Sequence, residues 1–351
     1  MSSETLLLLI AVAVVGAVGF AAVGRGERDA IAGTSRGEGA PAGELAVAAP
    51  SGILAAQAGV AEAAAKVARA ADDGAALAEH IPARGALLGE ESTYWKLFKQ
   101  GTLLFGGQRA LLLQVADPAV AAGVSKFSSF RENPVGRLAR TMDAMIAVTF
   151  GSPEQRAAML KQLKRVHAKV RGTTADGAAY SAHDPALKFW IHATLVDTAI
   201  EVERRFSGKF TDADRARYYE ESKALARAFE VPEEFIPADY RAFQKYMADR
   251  IASLRPSAES IELSKFLMRP EVRGVPKPAL APLAWVTRSL LPASLREAYG
   301  MKRLNFAERA AVRSIEVTAR TAIPPLMDAT LRIEPARNAL NSLLERFSTR
   351  Q

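Results

Sequence analysis

The residues able to do redox or metal chemistry in this chain are few. Its 351 residues include four histidines, His80, His167, His183 and His192, and no cysteine. Disulfides, thiolate-ligated haem, cysteine-ligated iron–sulfur clusters and covalent C-x-x-C-H haem attachment are therefore excluded, and any metal must be held through nitrogen or oxygen. His167 lies in "MLKQLKRVHAKVRG", where Leu160, Leu163, His167 and Val170 recur at helical spacing and turn the imidazole inward. An inward histidine is either a hydrogen-bonded core residue or a ligand, because neutral imidazole carries one donor and one acceptor nitrogen.

A second constellation is "NPVGRLART", Asn133 to Thr141. Asn133 suits an N-cap and Pro134 the first helical position. The positive end of the helix dipole favours acids there, so Arg137 and Arg140 are misplaced by a few tenths of a kcal/mol each unless something negative faces them. Arg137, Arg140, Thr141, Ala144, Met145 and Val148 share one face, expected to point inward. The arginines either snorkel at the rim of a core helix or meet an anionic group. Across "FGSPE", Phe150 to Glu154, the next helix carries His167. The two helices are expected to be antiparallel neighbours, able to hold a haem with iron on His167 and propionates or dioxygen facing Arg137, Arg140 and Thr141.

Other residues have simpler readings. Asp184 before Pro185 reads as a helix start, Trp190 and Leu195 as core, and His183 as a loop residue. His192 is the reserve iron ligand. Arg109 in "GGQRALLLQ" is either a propionate partner or half of a buried ion pair. Asp212 and Asp214 read as an acidic first helical turn. Walker-type, H-E-x-x-H and G-x-S-x-G motifs are absent from the sequence.

The elements that must position these groups read as helices. Residues 1–24 contain the apolar run "LLLLIAVAVVGAVGFAAVG", of bilayer-spanning length. Arg25 and Arg28 follow it, so the charge bias favours a retained anchor with the domain in the cytoplasm; a cleaved signal and an exported domain are the alternative. Residues 25–90 read as an Ala/Gly-rich linker with short helices, and residues 91–347 as one all-α domain without sustained strand alternation. A hydrophobic share of 49% supports a sizeable core, and a formal charge of +8 permits anionic partners without selecting one. No zinc-finger spacing or RNA-binding strand pattern supports nucleic acid as that partner.

The order "GGQRALLLQVADPAVAAGVSKFSSFRENPVGRLART", "FG", "VHAKVRG", "YSAHDPALKFWIHATLV", "TDADRARYYEESKALARAFEVPEEFIP" and "LPASLREAYG" resembles the MpaB and latex-clearing-protein (rubber oxygenase) family from about Gly106 to Pro335. The resemblance implies haem b, a largely helical globin-like core, and dioxygen-dependent cleavage of carbon–carbon double bonds in isoprenoid chains. It places His167 as proximal ligand and Arg137, Arg140 and Thr141 on the distal side. Where the family commonly has His-Pro and His-Ser, this chain has Asp117-Pro118 and Phe127-Ser128. In rubber-cleaving relatives a lysine at the position of Arg140 ligates iron reversibly, which guanidinium cannot do. The acid proposed as base in rubber cleavage finds no match in Asp117 or Glu132. The expected protein is thus a membrane-associated haem b oxygenase acting on an apolar, unsaturated lipid. The alternatives are a haem- or lipid-binding protein without turnover, and a cofactor-free helical scaffold.

Overall fold

Short polar residues and prolines at the expected places start most of the helices. The structure, a computed structural model, describes residues 83–98, 100, 102–128, 134–269 and 280–321. The expected anchor, almost all of the expected linker, His80, Asn133 and the stretch after residue 321 lie outside them. Among the described residues the order is α1 (Thr93–Phe98), a 3-10 turn (Thr102–Gly106), α2 (Gly107–Gln114), α3 (Pro118–Phe127), α4 (Pro134–Phe150), α5 (Pro153–His167), β1 (Arg171–Thr173), β2 (Ala179–Ser181), α6 (Pro185–Val202), a π turn (Glu203–Ser207), α7 (Asp212–Ala228), α8 (Tyr240–Ser253), α9 (Ala258–Leu267), α10 (Ala281–Leu290), α11 (Ala293–Ala298) and α12 (Phe306–Thr321). No single described helix is long and apolar enough to cross a membrane.

Helix α6 is apolar on most of its circumference, the pattern of a helix surrounded by protein. Phe189, Trp190, Ala193, Val196 and Val202 are buried along it. It packs against α2, α7 and the 3-10 turn. Gly106 allows the last approach: a Cβ there would meet Thr198 Cγ2 at 2.5 Å. The main core joins Trp190 and Phe189 to Tyr219, Phe150 and Leu225, while Phe105, Phe206, Val286 and Ile315 form a second cluster where α6 ends. Asp184 caps α6 through Ala186 and Leu187 N–H. Thr211 and Asp214 form a capping box on α7, so Asp212 and Asp214 are the acidic first turn that the spacing predicts.

Two findings differ from the sequence reading. Residues 171–173 and 179–181 form an antiparallel hairpin with Gly172 opposite Tyr180. Strands of three residues are too short to show alternation. A Cβ on Gly172 would lie 3.0 Å from the Tyr180 hydroxyl, so glycine makes room for that ring. The second difference concerns α4: of the expected face Val148 is fully buried and Ala144 and Met145 pack half-buried against the main core, but Thr141 is exposed, and Asp143, Ile146, Ala147 and Phe150 are buried as well. The expected face thus enters the main core at its C-terminal end, through Val148, and leaves it at Thr141. The inward surface is wider than the apolar pattern marks because a carboxylate, Asp143, also takes an interior position.

Candidate functional site

His167 ends α5, which begins with a Ser152–Gln155 capping box and Pro153. Helix α5 packs on α4, as the short "FGSPE" connection predicts. The side chain is half-buried. A helix C-terminus ordinarily favours imidazolium, yet burial, then the charge of the neighbouring His183, then that of Lys188, hold this imidazole below its usual range. Desolvation outweighs the dipole, so the ring is neutral near pH 7 with a lone pair available.

His192 is buried in α6, its ring centroid 6.1 Å from that of Phe189. Burial pushes its pKa down to about 4. Lys188 and His192 are four residues apart and share one face of α6. The charge of Lys188 is felt at His167, and His192 lies about 6 Å from Lys188 along the helix axis. Neither imidazole forms a side-chain hydrogen bond among the described residues. Two neutral, unengaged imidazoles suit iron ligation by their chemistry.

Glu230 ties these elements together and is not evident from the sequence. It holds φ 59°, in the left-handed region, unusual for a long side chain. Its carboxylate accepts from Lys164 Nζ at 2.8 Å and lies 3.7 Å from Lys188 Nζ. The end of α7 is thereby clipped to both α5 and α6 beside His167. A non-glycine residue where a helix would close on glycine leaves no periodic trace.

Arg109 is buried, with Nε donating to Leu290 O at 2.9 Å, Nη1 to Thr198 Oγ1 at 2.7 Å and Nη2 to Asp197 Oδ2 at 2.7 Å. Of its two readings, the geometry displays the ion pair, joining α2, α6 and α10. The side chains of Arg137 and Arg140 lie outside the described residues, although the helix bearing them is present as expected. Trp190 is fully buried with its Nε1–H unpartnered, and the Arg250 guanidinium carbon stands 5.4 Å from its ring centroid. Asp117 caps α3 and pairs with Arg250. Phe127 is 41% exposed. Among the described residues no three His, Asp or Glu side chains gather around a metal-sized point.

Residues 95–322 match the family described as ER-bound oxygenase mpaB/B'/Rubber oxygenase, catalytic domain. Two uncharacterised proteins, from Mycobacterium bovis and Mycobacterium tuberculosis, are each 29% identical over 185 residues, covering 51% of this chain and 68% of the relative. No solved structure matches.

Proposed function

This chain belongs to the mpaB/B' and rubber oxygenase catalytic-domain family and carries an oxygenase-type catalytic domain; on that premise we propose that it is a membrane-associated haem b oxygenase acting on an apolar, unsaturated lipid. The family match across residues 95–322 carries the reading. The neutral, half-buried His167 at the end of α5 supports it locally.

Haem, when bound, supplies dioxygen activation. His167 offers iron a neutral nitrogen, and the Lys164–Glu230–Lys188 bridge fixes the helix end that presents it. His192 is the reserve donor. Arg137, Arg140 and Thr141, in the first half of α4, are proposed to supply hydrogen bonds and positive charge to the bound group. Arg140 has no lone pair to give, so it would act on the bound group through charge and hydrogen bonds and not as an iron ligand. Arg109, already ion-paired, is left as structure. An N-terminal anchor, residues 1–24, would keep the domain beside a lipid-soluble substrate.

The test is an absorption spectrum with pyridine-haemochrome analysis on full chain made in haem-sufficient cells, followed by oxygen consumption with an isoprenoid. A Soret band with isoprenoid-dependent oxygen uptake supports the proposal. A band without uptake for any unsaturated lipid favours a binding protein, and the absence of a band a cofactor-free one.

A further inference from the structure

Between Glu154 and Asp176 every charged side chain is a cation: Arg156, Lys161, Lys164, Arg165, Lys169 and Arg171. All but Arg156 are exposed. Helix α5 turns Met159, Leu163 and His167 toward the protein, and the 3.6-residue period puts Lys161 and Arg165 on the opposite face. Among the described residues Lys164 is paired with Glu230, while Lys161, Arg165, Lys169 and Arg171 have no carboxylate partner.

Ordinary solvated faces of helices mix signs; this one does not, and it carries apolar groups. Val166 is 54% exposed on the flank of the cationic face. Phe127, 41% exposed, ends α3 one turn beyond Gly123, and Gly123 lies against Val170 and Tyr180. Lys126 Nζ stands 5.5 Å from the Phe127 ring centroid. The bordering acids are few: Asp176 is hydrogen-bonded to Thr174, and Glu259 sits on the Tyr180 side of the hairpin.

We infer that the outer face of α5, with the β1–β2 hairpin and the end of α3, docks onto an anionic phospholipid surface, Lys161, Arg165, Lys169 and Arg171 meeting headgroups while Val166 and Phe127 enter the interfacial layer. Unpaired cations interleaved with exposed apolar side chains match a bilayer interface, whose outer shell is anionic and whose next layer is apolar. An acidic protein or a nucleic acid would satisfy the cations but leave Val166 and Phe127 without purpose. Docked this way, His167 lies on the reverse of the helix that touches lipid, so an apolar substrate has a short path from the bilayer to the candidate site. The surface deepens the membrane reading above, yet it requires neither residues 1–24 nor haem.

The chain has no cysteine, so Val166→Cys in the full chain accepts a single nitrobenzoxadiazole probe. The probe reports lipid at that position and is not moved by insertion of a distant anchor. Vesicles with about 30% phosphatidylglycerol should blue-shift and brighten the emission, vesicles of phosphatidylcholine alone should not, and about 0.5 M salt should reverse the effect. Lys161→Glu, Arg165→Glu and Lys169→Glu should each weaken the anionic-vesicle response at least about fivefold. Circular dichroism establishes that each variant is folded. An equal response to both vesicle types, no response from folded protein, or the same shift with polyglutamate or a duplex oligonucleotide overturns the inference. Loss of the vesicle response with haem retained removes this surface alone; loss of haem with the response retained removes the oxygenase reading alone.

Discussion

Asp117 joins two helices through its two carboxylate oxygens: Oδ1 accepts from the N–H groups of Ala119 and Val120 at the start of α3, and Oδ2 is bonded to Nη2 of Arg250 on α8. The Arg250 guanidinium in turn covers the buried Trp190 ring. This is the position at which family sequences commonly carry histidine. The aspartate is accounted for by these structural partners, the start of α3 and Arg250.

Asp117→Ala is accordingly expected to lower stability by about 2 kcal/mol, from the lost cap and the lost partner of a half-exposed arginine, with little change in haem content. Urea denaturation beside pyridine-haemochrome quantification checks both. A haemless but fully stable variant contradicts the assignment.

The buried His192 makes stability depend on pH. Its native pKa is about 4 against an ordinary 6.5, so the unfolded chain takes up a proton that the native chain refuses. Above pH 6.5 the effect vanishes; stability is lost as pH falls from there, reaching about 3 kcal/mol near pH 4. His167 shifts in the same direction. His192→Gln should flatten much of the slope in urea midpoints between pH 7.5 and 4.5. An unaltered slope would place His192 in a wetter environment than its burial indicates.

Much of the helical framework around the candidate site was legible in residue spacing, and the misses share a cause. Pro134, Asp184 and the Asp212–Asp214 first turn marked helix starts because capping chemistry and helix-dipole preferences are local. Trp190 as core and His183 as loop also followed from local pattern. The hairpin after His167 and the burial of Asp143 on α4 did not, because three-residue strands carry no period and a carboxylate does not mark an interior position. Glu230 and Lys188 were invisible as site residues: their significance comes from α7 and α6 meeting α5, which spacing along the chain does not reveal. Family resemblance, by contrast, read from about Gly106 to Pro335, identified the family that residues 95–322 match, since its blocks occur in order over most of the described residues.

Arg140→Lys supplies an amine that loses its proton in a desolvated pocket and then ligates iron, as guanidinium cannot. A low-spin ferric spectrum should appear as pH rises. Arg137→Ala should weaken haem retention or oxygen binding while changing stability by less than about 1 kcal/mol. If Arg140→Lys keeps the parent spectrum at every pH and Arg137→Ala binds haem and oxygen normally, both arginines snorkel and neither faces iron.

Residues 1–24 are expected to remain on the mature chain and hold it in the membrane, with the domain on the cytoplasmic side. Intact mass of the membrane fraction tests retention, and protease accessibility in spheroplasts tests sidedness. A mature N-terminus near Arg25 in the extracellular medium reverses both expectations.

The central claim is that His167 gives its imidazole nitrogen to haem iron. It is tested most directly by haem stoichiometry in His167→Ala, His192→Ala and the parent, each matched for helical content by circular dichroism. The account predicts a folded His167→Ala protein with little haem and a His192→Ala protein that largely keeps it. Full haem in His167→Ala with an unchanged ferric spectrum would contradict the claim, and its loss from His192→Ala alone would move the ligand to His192.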